Sequence, residues 1–360
     1  MNIVQQRAKN ALMGLAIGDA IGWSSMFHRT HLLPEWTRRL RREIDIASDA
    51  TGVIGQALPF TLNRNADAML LGPTDDTEWM VFSATILLEN RGIVDEEILL
   101  SAWKKLAMSD IPVRGRTSVH GALRNLRKGL LPPATGHDNP GYNDDAAACR
   151  SVPFGILGFG RPNEAAATAA LDARITNSEE GVAASQAMAA AIALACGGAD
   201  LNDVIGGAIS QVPSGTWMSR NCETVRTLAV TGESLSSSVV ELADNLVNRE
   251  FNSGSLAPET VPLALGIVKL SQGNFERAIT ASTLVSKTAD SVPALVGAIA
   301  GALTGTPVST PYWSKRLSVL KGICLPQLAG KDYGKFTDDF AALAIHGQSP
   351  SQKDHIQDLR

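Results

Sequence analysis

The residues with the plainest chemistry are Thr74-Asp75-Asp76-Thr77, at the head of an apolar helical stretch from Trp79 to Leu88. Two adjacent carboxylates repel each other if both are buried and charged. A divalent cation removes that penalty and keeps both ionised near neutral pH. Donor sets made only of oxygen favour Mg²⁺, Mn²⁺ or Ca²⁺ over zinc, and threonine hydroxyls add neutral ligands. The same residues also make an ordinary helix start. Thr74 can cap the helix, and Asp75 and Glu78 suit the dipole of its first turn and a capping box. A second oxygen-rich run, Thr288-Ala289-Asp290-Ser291, opens the last long apolar segment and could equally be a cap. Read together, the two runs are the halves of one hard-cation site, if the fold brings them together.

The elements around them are helical. Residues 5–23 carry glycines at 14, 18 and 22, and four-residue spacing puts these on one helix face. Each glycine costs about 1 kcal/mol relative to alanine inside a helix, so the stripe implies close approach of another helix or a ligand. Asp19 lies by this face. It suits a hydrogen bond to a neighbouring helix end, or the orientation of a metal ligand. The segment after Asp290 repeats the stripe at Gly297, Gly301 and Gly305. Apolar spacing predicts helices over 75–91, 95–109 and 118–128, and then over 164–174, 179–197, 201–211, 220–231, 235–247, 258–272, 274–285 and 291–305. Pro262 fits the first turn of its helix. Residues 24–72 and 110–145 read as irregular insertions. The first holds a short helix from Pro34 to Ile46 with Arg38, Arg39, Arg41 and Arg42, which could grip phosphate but reads better as a solvated face. No β-alternation, fixed-period repeat or linker is visible, so the expectation is a single all-α domain over 1–360.

Composition narrows the function. A net charge of −4 argues against partners held by bulk charge, nucleic acid and anionic membranes among them. Aromatics at 5% leave little for stacking on single strands. Cys149, Cys196, Cys222 and Cys324 are too scattered for a zinc site or a disulfide framework, which suits a cytoplasmic setting. His28 and His31 lie in a segment with poor helical signals and make a weak ligand pair. The apolar run Ala11–Ile17 is too short for a signal peptide, and no run reaches the 18 or so residues that span a bilayer.

Several short motifs, in order, resemble the ADP-ribosylglycohydrolase family over about residues 7–345. Gly18-Asp19-Ala20-Ile21-Gly22 is similar to its G-D-A-x-G. Thr74-Asp75-Asp76-Thr77 matches its T-D-D-T metal motif. Asp145-Ala146-Ala147-Ala148-Cys149-Arg150 with Pro153 resembles N-G-A-A-M-R followed by proline. Glu259-Thr260-Val261-Pro262 resembles E-S-V-P, and Asp290-Ser291 resembles the end of G-G-D-T-D-T. The resemblance implies a compact all-helical fold, two Mg²⁺ ions between the N- and C-terminal motifs, and cleavage of ribosyl bonds at the anomeric carbon. Some relatives act on simpler nucleosides and some are non-catalytic.

Departures from the pattern shape the expectation. The first aspartate of the C-terminal motif is Thr288 here, preceded by Lys287. Met26 stands where many members have a glutamate. Thr176-Asn177 replaces T-H, and Asp145-Ala146 replaces N-G. The motif-matched carboxylates Asp75, Asp76 and Asp290 bring −3 where the usual site has −4, so one Mg²⁺ is expected rather than two. Lys287 could fill the second place as a fixed cation, and Asp145 could restore a charge on the substrate side. The leading expectation is a Mg²⁺-dependent hydrolase of a small-molecule or protein-linked ribosyl substrate. Thr74, Asp75, Asp76, Asp290 and Ser291 would hold the ion, and Asp75 or Asp76 would orient or deprotonate the attacking water. Asp19, Asp145, Thr176, Asn177, Ser253, Gly254 and Thr288 are candidates for the substrate side. The alternative is a catalytically impaired ADP-ribose- or nucleotide-binding protein, or a structural protein, on the same scaffold. Oligomeric state is not legible.

Overall fold

Helix α1 spans Ile3–Met26 and is buried without a break from Asn10 to Ala20. Its glycine stripe meets that of α15, Val292–Leu303. A Cβ on Gly14 would fall 2.1 Å from the Gly297 carbonyl oxygen, and one on Gly18 would fall 1.9 Å from that of Pro293. A Cβ on Gly22 would meet the Ala289 oxygen at 2.1 Å, and one on Gly301 the Asn10 oxygen at 2.3 Å. Each four-residue step up α1 meets a four-residue step down the other helix. The two therefore run antiparallel with backbones in contact, which only glycine allows.

The computed structural model describes residues 2–26, 50, 72–229, 234–248, 250 and 253–346 of the 360. The short helix from Pro34 to Ile46, its arginines and the His28/His31 pair lie outside the described residues, as does the side chain of Met26. After α1 the helices are α2 (Asp75–Glu89), α3 (Glu96–Ala107), α4 (Thr117–Arg127), α5 (Ala134–His137), α6 (Ala146–Arg150), α7 (Val152–Leu157), α8 (Pro162–Thr176) and α9 (Glu179–Gly197). Then follow α10 (Leu201–Ile209), α11 (Trp217–Thr227), α12 (Leu235–Leu246), α13 (Ala257–Leu270), α14 (Phe275–Ser282), α15, α16 (Pro311–Arg316) and α17 (Tyr333–His346). Among the described residues there is no strand, only isolated bridges at Asp144–Leu256 and Val319–Asp332. The fold is all-α.

The alanine-rich α9 runs through the middle and packs on α6, α7, α8, α10, α13 and α15. By length and composition it could cross a membrane, contrary to the expectation that no segment would. However, 78% of its apolar window is buried inside the protein, as in a core helix. It also touches α1, and its many alanines let these seven neighbours pack closely around it. On the other side of α1, α17 docks through Tyr333, whose hydroxyl donates to the Leu12 carbonyl at 2.6 Å.

Asp95, Asp200, Thr216, Ser234, Asn274 and Thr310 cap their own helices, while other ends are satisfied in trans. Asn10 on α1 donates to the Thr304 and Thr306 carbonyls at 3.0 and 2.8 Å, closing the C-terminal end of α15. Pro262 sits inside α13 rather than in its first turn. It cannot donate to the Pro258 carbonyl, which accepts from Asn221 Nδ2 at 2.7 Å instead. The short helices α5, α6, α7 and α16 were not predicted, because four to six residues hold too little periodicity. The cysteines 149, 196, 222 and 324 are free and buried.

Gly14→Ala is expected to lower the melting temperature by several degrees, because the new methyl must push two backbones apart. Gly206, exposed in α10 with nothing within 4 Å of an added Cβ, is the control. Gly206→Ala is expected to leave the melting temperature unchanged or raise it. Thermal denaturation of both variants tests the assignment.

Candidate active site

The antiparallel glycine contact sets Ala289 beside Gly22, so Asp290 and Ser291 arrive next to the C-terminal half of α1. The same stretch of α1 carries Asp19, which is buried. Its carboxylate accepts from the Thr74 and Thr77 backbone N–H groups at 2.7 and 3.0 Å. It also accepts from both threonine hydroxyls, that of Thr77 at 2.6 Å. Asp19 is thus the N-terminal cap of α2 supplied by another helix. Thr74 makes no side-chain cap of its own. Glu78 does not close a capping box either. Its carboxylate accepts the backbone N–H groups of Ile323, Cys324 and Leu325 at 2.8, 2.7 and 2.9 Å, pinning the approach to α17 onto α2. With the helix start fixed in this way, Asp75 and Asp76 project toward Asp290.

A third strand of chain completes the cluster. Asp144 accepts from the Ser118 N–H at 3.0 Å and the Ser118 hydroxyl at 2.6 Å, clamping the start of α4 to the loop before α6. Arg116, two residues before the clamp on one side, therefore faces Asp145, one residue after it on the other. Arg116 Nε lies 3.0 Å from Asp145 Oδ1. The loop is further braced by Arg150, fully buried at the end of α6. Its guanidinium donates to Asp172 at 2.8 Å and to the Thr176 hydroxyl at 2.6 Å, and sits 5.0 Å over the Trp103 ring.

Arg116 occupies the centre. Nη1 donates to Asp290 Oδ2 at 2.5 Å, and Nη2 donates to the Ser291 hydroxyl at 2.7 Å. Nη2 also lies 3.3 Å from Asp76 Oδ1 and 3.8 Å from Asp75 Oδ2. Four carboxylates from three distant parts of the chain thus surround one guanidinium, whose side chain is 9% exposed. Two buried carboxylate oxygens make no hydrogen bond among the described residues, Oδ2 of Asp76 and Oδ2 of Asp145, whereas Asp145 Oδ1 faces Arg116 Nε.

Sequence reasoning missed Arg116 because it lies in a stretch read as loop and belongs to no motif. The available signal was electrostatic: that many converging carboxylates require a counter-charge. Lys287, expected to fill that role, points elsewhere. It pairs with the buried Glu259 at 3.0 Å and donates to the Asn248 carbonyl at 2.6 Å. Thr176 and Asn177 were expected on the substrate side, but both are buried in the brace behind the cluster. Asn177 Nδ2 donates to the Tyr142 and Asp144 carbonyls at 3.2 and 2.9 Å. Thr288 is buried in a 3₁₀ turn, its hydroxyl turned back to the Val285 carbonyl at 3.4 Å. Ser253 and Gly254 are half-buried on the strand of chain that hydrogen-bonds the Asp145 loop, through Asp145 N–H to the Ser255 carbonyl at 2.9 Å.

The oxygen chemistry suits a hard cation, yet the arrangement does not leave one a place. A divalent ion needs several oxygens to converge on one point at about 2.0–2.6 Å. Here Asp290, Ser291 and Asp76 converge on the Arg116 Nη atoms. Among the described residues no group of three or more acidic, His or Cys side chains is arranged to hold a metal.

A family profile described as ADP-ribosylglycohydrolase matches residues 1–344. The chain belongs to that family, whose activity is the hydrolysis of glycosidic bonds in ADP-ribose-like substrates. A solved structure titled "ADP-ribosylglycohydrolase-related protein complex" is similar in fold, with a TM-score of 0.57. It is 19% identical and covers 96% of this chain and 100% of its own. No curated protein matches the sequence.

Burial and mutual repulsion favour protons on these carboxylates. Burial, then Asp290, push Asp75 up to about 7 against the pull of Arg116. Burial likewise raises Asp145 to about 7, with Arg116 lowering it and Asp144 adding to the rise. Burial lifts Asp76 well above the usual range, and lifts Asp19 to about 6 in spite of its four donors. For Arg116, burial opposes the charge, but Asp145 and Asp290 more than offset it. A carboxyl whose pKa is higher folded than unfolded binds more protons when folded. The stability it contributes is complete below about 4 and is lost as pH rises through about 7. In buffer containing a chelator, the melting temperature is expected to fall from pH 5 to pH 8. Asp145→Asn is expected to shallow that fall. A fall of equal steepness in the variant would show that Asp145 does not titrate this way.

Proposed function

We propose that this chain hydrolyses a ribosyl glycosidic bond at the carboxylate cluster, on an ADP-ribosyl or nucleoside-like substrate. The observation that carries the reading is the pair of buried Oδ2 atoms, on Asp76 and Asp145, that no donor among the described residues reaches. Such oxygens accept hydrogen bonds and donate none when ionised. They suit sugar hydroxyls and water, which bring donors, and repel phosphate, which does not. The ribose therefore enters the cluster, and any diphosphate stays outside it.

The residues divide the chemistry as follows. Asp75, the most exposed of the four carboxylates and raised to about 7 by burial and Asp290, is the base for the attacking water. Asp76, held on Oδ1 by Arg116, lies beside it and is the second candidate. The water attacks the anomeric carbon and gives its proton to the carboxylate as the glycosidic bond breaks. The excess negative charge of the cluster stabilises the oxocarbenium-like transition state. A carboxyl retaining its proton near pH 7, such as Asp145, can supply one to the leaving group. Ser253 and Gly254 border the ribose side.

A second reading has its own support. The ion pairs of Arg116 fill much of the cluster, which suits a protein that binds an ADP-ribosyl group without cleaving it. One experiment separates the two. The purified chain is incubated with ADP-ribosylated peptides, ADP-ribosyl small molecules and nucleosides, with chelator or with Mg²⁺, and released ribosyl product is measured. Hydrolysis is expected, falling about 100-fold or more in Asp76→Asn. Ligand-induced thermal stabilisation with no product under any condition would establish the binding role instead.

A further inference from the structure

We propose that Arg116 is a resident cation, a side chain standing where a divalent ion would otherwise bind, and that the site is preorganised without metal. The inference deepens the reading above by naming what holds the cluster together, but its test does not depend on turnover.

The argument rests on position and on the anchoring of that position. The guanidinium reaches Asp290 and Ser291 at 2.5 and 2.7 Å, Asp145 at 3.0 Å, Asp76 at 3.3 Å and Asp75 at 3.8 Å. Asp75, Asp76, Asp290 and Ser291 are four of the five residues that sequence reasoning assigned to the ion. The fifth, Thr74, gives its hydroxyl to Asp19. Arginine stays charged at any relevant pH, and its planar fork can face several carboxylates at once. Its backbone is held as well. It precedes α4 directly, and the Asp144–Ser118 clamp fixes that helix start. An ion entering the cluster would have to drive a 9%-exposed arginine away from four carboxylates. Removing the arginine would instead leave buried carboxylates without a counter-charge, the condition under which divalent cations bind.

The test is a metal titration of the wild-type chain and of Arg116→Met, which keeps an apolar stem and loses the charge. Wild type, freed of metal with chelator and dialysed, is expected to show no binding heat with Mg²⁺, and Mn²⁺ added to it keeps its full free-ion electron paramagnetic resonance signal. Arg116→Met is expected to melt lower than wild type without metal, and to gain about 3 °C or more when Mg²⁺, Mn²⁺ or Ca²⁺ is added. Arg116→Lys, with its smaller charged head, is expected to respond less than Arg116→Met. Tight binding of Mg²⁺ or Mn²⁺ by the wild-type chain would overturn the proposal, since the ion would then displace the arginine. That measurement decides even if the variants fail to fold. A folded Arg116→Met indifferent to all three ions would overturn it as well. Loss of hydrolysis alone would count against the proposed function and leave the metal result standing.

Discussion

The contact on which the rest of this structure depends is made by atoms that are missing. Gly14, Gly18 and Gly22 on α1, and Gly297 and Gly301 on α15, leave out their Cβ atoms, so two helices can lie backbone against backbone. That fixes both the distance and the register. The register is what delivers the turn holding Asp290 to the end of α1 that caps α2, more than two hundred residues away in sequence. A pair of helices separated by ordinary side chains would stand some 8–10 Å apart. The donors on the two sides would then be too far apart to share one partner. The conformational cost of glycine in a helix, about 1 kcal/mol per residue, is offset here by close packing along the whole contact.

Around that contact, carboxylates perform two distinct tasks. Asp19, Asp144 and Glu78 are spent on backbone N–H groups or on the loops that carry them, and each fixes the position of another element. Asp75, Asp76, Asp145 and Asp290 are left to face one another. The first group positions the second. Asp19 sets where α2 begins, and Asp144 decides that Arg116 and Asp145 stand opposite each other. A buried charge without a partner costs several kcal/mol, so this arrangement holds only because a cation lies within about 4 Å of every member.

The sequence showed the scaffold more clearly than the site. Long helices follow from apolar periodicity, and 179–197 and the glycine-striped pair were legible because packing leaves a regular trace. The helix Tyr333–His346 was overlooked although Phe336, Phe340 and Ala344 keep helical spacing, because Gly334 and Thr337 dilute the pattern. In the site, Asp75, Asp76 and Asp290 were legible from residue type and motif. What holds them was not. Arg116 comes from a segment with no periodicity, and its role arises from a pairing between segments 26 residues apart, joined by the bonds of Ser118 to Asp144 and Asn139. Lys287 was the more visible candidate because it neighbours the motif. Adjacency in sequence proved a poor guide, since Glu259 lies closer to it in space.

The exchange of an ion for an arginine, as proposed above, would change more than the balance of charge. One guanidinium brings +1 to a cluster that can carry −4. A divalent ion would bring twice that and would also ligate oxygens directly, keeping them ionised. With Arg116 as the counter-charge among the described residues, burial settles the remaining imbalance by protonation, and Asp75 and Asp145 both rise toward neutrality. Neighbouring carboxyls that share too few positive charges cannot all ionise together. At neutral pH, therefore, some hold protons while others do not. A glycoside hydrolase needs that pairing of an acid with a base. On the function proposed above, that pairing would follow from a deficit of positive charge, fixed by the place where α4 begins.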